Sequence, residues 1–234
     1  MRRRVFVGLI PVAAFGQVDK IIGGLMKPRS GAALPDAQIA AGLKEALGVG
    51  ADNAVKLTGV TDGFFKNDAI KILMPQKLQN VEKALRMAGG TAQMDELVMR
   101  MNRASEKAAP EAKKYFKEAI EGMSINEAKG ILSGGDTAAT DYFKKKTSVQ
   151  LTEAFRPHVE TAMNDVGVIQ QFNTVMASAQ KIPFIKADYF DINQYVVGKA
   201  TDGLFYMVGQ EEKKIRKDPA AQVTPLLKQV FGGK

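Results

Sequence analysis

The chain has 234 residues, 45% hydrophobic and 25% charged, with a formal net charge of +8 and a single histidine. That is enough chain and enough apolar content for a self-supporting globular core. The absence of cysteine excludes disulfides, thiolate metal sites and a cysteine nucleophile, and one histidine argues against zinc, whose sites draw on several such ligands.

Arg2, Arg3 and Arg4 precede an apolar run of eleven residues, Val5 to Phe15, and Ala14-Phe15-Gly16 supplies small residues for a cut before Gln17. A positive start, a short apolar core and a small-residue end predict an export signal over 1–16. The run is too short to span a bilayer. Arg3-Arg4 also fits a twin-arginine signal, but arginine is common in such regions and the general secretory route is favoured. Without these three arginines the net charge is +5, a weak argument for nucleic acid. Residues 17–35, with several glycines, Pro28 and Ser30, read as a flexible leader.

Helical spacing starts after Asp36 and runs through Ile39, Leu43, Ala46, Leu47, Ala54 and Leu57 to about Val60, where Asp62-Gly63 breaks it. Ile70 to Met74 is short and apolar and predicts an extended segment before Pro75. A helix then runs to Met87 and stops at Gly89-Gly90. The next carries Met94, Leu97, Val98, Met101 and Ala104 on its inner face, with Pro110 restarting it towards Ile120. Ser124 to Glu127 has the form of a capping box, opening a short helix that ends at Ser133-Gly134-Gly135. Asp136 or Thr137 is expected to cap a helix through Tyr142 and Phe143. Another is expected from Ser148 past Pro157 to Gly167, and a third over about 168–180. The stretch 184–190 reads as irregular or extended.

Asp191 caps a helix in which Ile192, Tyr195, Val196, Val197, Ala200, Leu204, Phe205, Met207 and Val208 cover nearly the whole circumference. Such a helix is expected at the centre of the fold. Asp218-Pro219 starts a last amphipathic helix. The expectation is an all-α fold: one domain over 36–234, of about nine helices around the one near 192–216.

Several stretches carry a resemblance. AGLKEALGVGADNAV (41–55), MNRASEKAAPEAK (101–113), ILSGGDTAATDYF (131–143), FRPHVE (155–160) and DGLFYMVGQEEKKIRKDPAAQVTPLLKQVFG (202–232) resemble the bacterial domain-of-unknown-function 4197 family over about 36–232. The resemblance implies an exported helical protein and brings no activity, catalytic residue or ligand with it. The chain departs from it at Leu73-Met74, where an IPLP-like run is expected, which would loosen the local turn.

The candidate ligand-binding residues come from two features. The Ser133–Thr137 turn feeds a helix N-terminus, where backbone N–H groups with the hydroxyls of Thr137 and Thr140 suit an anion, although Asp136 opposes one and capping is the simpler reading. Asp202 lies within the apolar central helix. If buried it needs a partner, for which Arg100, Arg103 and Arg156 are the candidates, and a structural ion pair is the simpler reading. His158 has Glu160 nearby but no nucleophile motif around it, so no catalytic residue is assigned. The lysine clusters read as solvated helix faces, with no nucleic-acid motif, and the eleven methionines as core. No metal or cofactor is called for. The sequence therefore favours an exported, periplasmic or secreted, non-enzymatic binding or interaction module for an apolar or lipid-like small molecule or an envelope protein. The alternatives are an enzyme built on carboxylates and arginines, and a basic surface docking on anionic envelope lipid or polymer.

Overall fold

A computed structural model describes residues 34–124, 131–182 and 189–232. The export signal, the leader up to 33, the capping box from Ile125 onward and most of the 184–190 stretch lie outside them. Among the described residues there are eight α-helices and no strand. They are α1 (Asp36–Thr58), α2 (Gln79–Met87), α3 (Thr91–Ala108), α4 (Ala112–Glu121), α5 (Ala138–Asp165), α6 (Val168–Ala179), α7 (Ile192–Lys217) and α8 (Pro225–Phe231). Short 3₁₀ turns precede α2, α4 and α8. No described helix is long and apolar enough to cross a membrane.

The order of packing follows from which faces are apolar. α7 lies against α1 on one side and α5 on the other, and α8 closes over α1 and α7. α3 packs on α5 and α6, and α2 on α3. Phe116 of α4, Phe143 of α5 and Phe205 of α7 meet ring to ring at 5.4–6.0 Å between centroids. All three are buried, so they join three helices at one point.

Two expectations change. The two helices expected between Asp136 and Gly167 are one helix, α5, which passes through Lys144-Lys145-Lys146 and Pro157 without a break. Lysine is a good helix former, and Thr147 turns its hydroxyl back onto the Phe143 carbonyl at 2.8 Å instead of opening a turn. The last helix starts at Pro225, not at Asp218-Pro219. Asp218 caps only a 3₁₀ turn through the Ala220 amide, and Thr224 caps α8 through the Leu227 amide.

α7 is central but not closed all round. Tyr195, Lys199, Asp202, Tyr206 and Gln210, spaced three or four apart, form one stripe that reaches solvent. Beside this stripe α7 comes close to the chain before α2: a Cβ on Gly203 would stand 2.6 Å from the Phe64 ring. Only glycine admits that approach.

Candidate functional site

The open stripe of α7 forms one wall of a surface groove of about 640 Å³. The N-terminal half of α5 forms the second wall and residues 69–73 the third. Each wall is fixed by buried polar side chains.

The 69–73 segment has no helix of its own to satisfy its backbone. Asn67 takes the amides of Ala69, Ile70 and Lys71, and Asn102 on α3, completely buried, takes Ile72. Its Oδ1 accepts from the Ile72 N–H at 2.9 Å, and its Nδ2 donates to the Ile72 carbonyl at 2.8 Å and to the Val98 carbonyl at 2.7 Å. Tyr195 adds a hydrogen bond from its hydroxyl to the Leu73 carbonyl at 2.8 Å. Burial pushes the Tyr195 phenol above its usual pKa, so it stays a donor. At the Leu73-Met74 departure the segment is held by Asn102 on one side and Tyr195 on the other. Just upstream, Glu106 accepts from the Phe64 and Phe65 amides, each at 3.0 Å, and pairs with Arg103 at 2.6 Å.

The start of α5 is fixed from α7. The fully buried Glu212 carboxylate accepts from the Ala139 N–H at 3.0 Å, the Thr140 N–H at 2.7 Å and the Thr140 hydroxyl at 2.6 Å. Arg216 pairs with the same carboxylate at 2.7 Å and donates to the Ile131 and Leu132 carbonyls. A helix N-terminus is satisfied here by a distant glutamate. Neither Asp136 nor Thr137 caps α5 as expected. Asp136 pairs with Lys217, which holds its carboxyl below the usual range, and Thr137 donates to Asp141.

The groove between these walls carries Lys71, Lys144 and Lys199 with Tyr195, Tyr206 and Leu73. Lys144 reaches Asp202 at 2.8 Å, and both side chains are about half exposed, at 43% and 57%. Lys71 and Lys199 make no ion pair among the described residues. Lys71 lies 4.3 Å from the Phe65 ring centroid and Lys199 6.0 Å from that of Tyr195. The site thus sets three lysines, of which Lys71 and Lys199 make no ion pair among the described residues and Lys144 is weakly held, against the carboxylates of Asp141 and Asp202, with aromatic and aliphatic surface beside them.

The candidate residues separate. Asp202, Thr137 and Thr140 line this groove together. Asp202 is not buried and its partner is a lysine, because the α7 face on which it lies is the open one. Thr140 has its hydroxyl committed to Glu212. Arg100 binds Glu96 and the Val166 carbonyl, and Arg103 binds Asp62 and Glu106, so both serve the frame. Arg156 lines an adjoining groove with Asp202 but lies nearer Glu153 and Glu160. His158 faces Tyr115, whose hydroxyl is 3.0 Å from Nε2, on a different part of the surface. Lys71, Lys199 and Tyr206 were not singled out from sequence, while Lys144 was read as part of a solvated lysine cluster and Tyr195 as part of the apolar surface of α7. The stripe of polar and tyrosine residues along α7 was the available signal, masked by counting tyrosine as apolar.

The family described as "Protein of unknown function (DUF4197)" matches residues 33–232. The chain belongs to the DUF4197 family. It matches no curated protein and no solved structure. The stretches on which the resemblance rests now have a physical content in this DUF4197 chain. The 101–113 stretch holds Asn102, Arg103 and Glu106; the 131–143 stretch holds Thr140; the 202–232 stretch holds Glu212 and Arg216. All are frame residues of the groove.

Proposed function

We propose that this protein is an exported, non-enzymatic binding module that takes an anionic group in the groove between α5, α7 and residues 69–73. The observation that carries this reading is the convergence of Lys71, Lys199 and Lys144 on one groove, the first two without carboxylate partners among the described residues. Cations left unpaired in a concave site raise the local concentration of anions. Tyr206 and Leu73, both exposed, add surface for an uncharged part of the same ligand. The lysines of the lining support an anionic ligand over the apolar molecule favoured by the sequence. It does not favour the carboxylate–arginine enzyme, since Asp202 stands exposed beside a lysine and no arginine among the described residues pairs with it. Export rests on the Arg2–Gly16 pattern alone.

The test is an NMR titration of the protein with galacturonate, citrate and inorganic phosphate at low and at physiological salt. Shifts confined to Lys71, Lys144, Lys199 and Tyr206, weakening with salt and lost in a Lys71→Ala/Lys199→Ala variant, are the expected result. Absence of shifts there with every anion overturns the reading.

A further inference from the structure

We infer that the ligand of this groove is an elongated zwitterion, with its anionic end at Lys71 and Lys199 and its cationic end at Asp141, and not a simple anion. This rests on the anion-binding reading above and extends it. Asp141 lines the groove, is exposed, and accepts the Thr137 hydroxyl at 2.8 Å. It makes no ion pair among the described residues, so the lining holds unpaired charge of both signs. The Lys144–Asp202 pair leaves that balance unchanged. Its two charges offset each other, and it closes the groove towards the adjoining one that Arg156 lines. A ligand carrying negative charge alone would meet the Asp141 carboxylate with nothing to compensate it, and like charges brought together cost affinity.

The packing of the walls sets the two ends apart. Thr137 stands beside Gly209, where an added Cβ would lie 3.3 Å from its methyl group, and Lys144 reaches Asp202 at 2.8 Å. Asp141 lies between Thr137 and Lys144 on the same face of α5, which puts it at the level of Tyr206 on α7. On the third wall Ile70 stands against Gly203, where an added Cβ would lie 3.3 Å from its own Cβ, and the Leu73 carbonyl accepts from Tyr195. Lys71, between those two anchors, therefore lies at the level of Lys199.

That spacing sets the length of the ligand. From Lys199 to Tyr206 is two turns of α7, roughly 10 Å along the axis. A single amino acid does not span it. An extended tripeptide does, at about 3.3–3.6 Å per residue, with an ammonium at one end and a carboxylate at the other. Tyr206 and Gln210 line the groove as well and bring a hydroxyl and an amide to the uncharged middle of such a ligand.

The experiment is an NMR titration of the full chain with four probes. They are triglycine, acetyltriglycine and triglycinamide, which each lack one of its terminal charges, and 8-aminooctanoate, an unbranched zwitterion of similar length. Triglycine is expected to shift Lys71 and Lys199 at one end of the groove and Thr137 and Asp141 at the other. Blocking either end is expected to weaken binding about two- to fivefold, the worth of one exposed ion pair. Asp141→Asn keeps an acceptor for the Thr137 hydroxyl and removes the charge. It should weaken triglycine by the same factor and leave acetyltriglycine no weaker. Binding of both zwitterions supports a groove that reads the two charges alone, and binding of triglycine alone one that reads the amides too. If acetyltriglycine binds as tightly as triglycine, or Asp141→Asn leaves triglycine unimpaired, the zwitterion falls and the anion site stands. The same holds if citrate or phosphate shifts the groove and neither zwitterion does. If triglycinamide binds as tightly as triglycine, or if nothing shifts the groove, both readings fall.

Discussion

Glu212 caps the start of α5, accepting from the amide of Thr140, 72 residues earlier in the chain, at 2.7 Å and from its hydroxyl at 2.6 Å. The same carboxylate carries Arg216. Neither side chain reaches much solvent, so each is the other's compensation for leaving water. Removing the glutamate leaves a buried cation and two stranded N–H groups. Glu212→Ala is expected to cost about 3–5 kcal/mol, measured by urea denaturation. Hydrogen exchange should show Ala139 and Thr140 losing protection more than the middle of α5 does.

Asn102 has a comparable role for the opposite wall. Asn102→Ala strands the buried N–H and carbonyl of Ile72 together. At about 1–3 kcal/mol for each unsatisfied group, a loss of about 2–6 kcal/mol is expected. The NMR signals of 70–73 and of Tyr195 should shift with it, because beyond the Asn67 carbonyl, which holds the Ile70 and Lys71 amides, the segment then keeps the Tyr195 tether alone.

Asp202 separates a frame role from a ligand role. Its pairing with Lys144 is half exposed, so Asp202→Asn is expected to change stability by less than about 1 kcal/mol. The same change removes a negative charge from the groove and frees Lys144. Affinity for galacturonate should therefore rise, and rise most at low salt. An affinity that falls instead would mean that the carboxylate itself contacts the ligand.

Acid should weaken the turn before α2. The Asp62 carboxylate is held below its usual pKa of 3.8 by hydrogen bonds from Lys66 and Arg103. A carboxylate with a lowered folded-state pKa stabilises the fold above the unfolded value, and this is lost as pH falls below 3.8 through the folded value. Asp62 also sits at φ 70°, in the left-handed region that asparagine shares. Asp62→Asn therefore removes the charge without forcing the backbone, and the stability of the variant should fall less steeply with acid over that range. Equal slopes in chemical denaturation across pH would contradict the assignment.

The helical fold was legible because its signals are local. Periodic apolar residues marked α1, α3 and α7, and Asp191 caps α7 as its position implied, accepting from the Gln194 amide at 2.9 Å. The caps of α5 and of the 64–65 turn were not legible. Glu212 and Glu106 look like ordinary surface glutamates in sequence, and only tertiary contact makes them buried acceptors. Asp202 was misread for the converse reason: its neighbours are apolar, yet the chain leaves that side of the helix uncovered. The groove stayed hidden because its walls lie about 70 and 130 residues apart in sequence.

The hydrogen bonds of Asn102, Glu106 and Glu212 have a consequence for the order of assembly. Each satisfies backbone on a segment 30 to 73 residues away, so none of those segments is complete until a distant helix has docked. The start of α5 in particular waits for a residue near the end of the chain. High sequence separation of such contacts slows closure and makes it cooperative. A chain cut before α7 should keep α5 helical in its middle and frayed at its start, with no half-built groove to bind anything on the way.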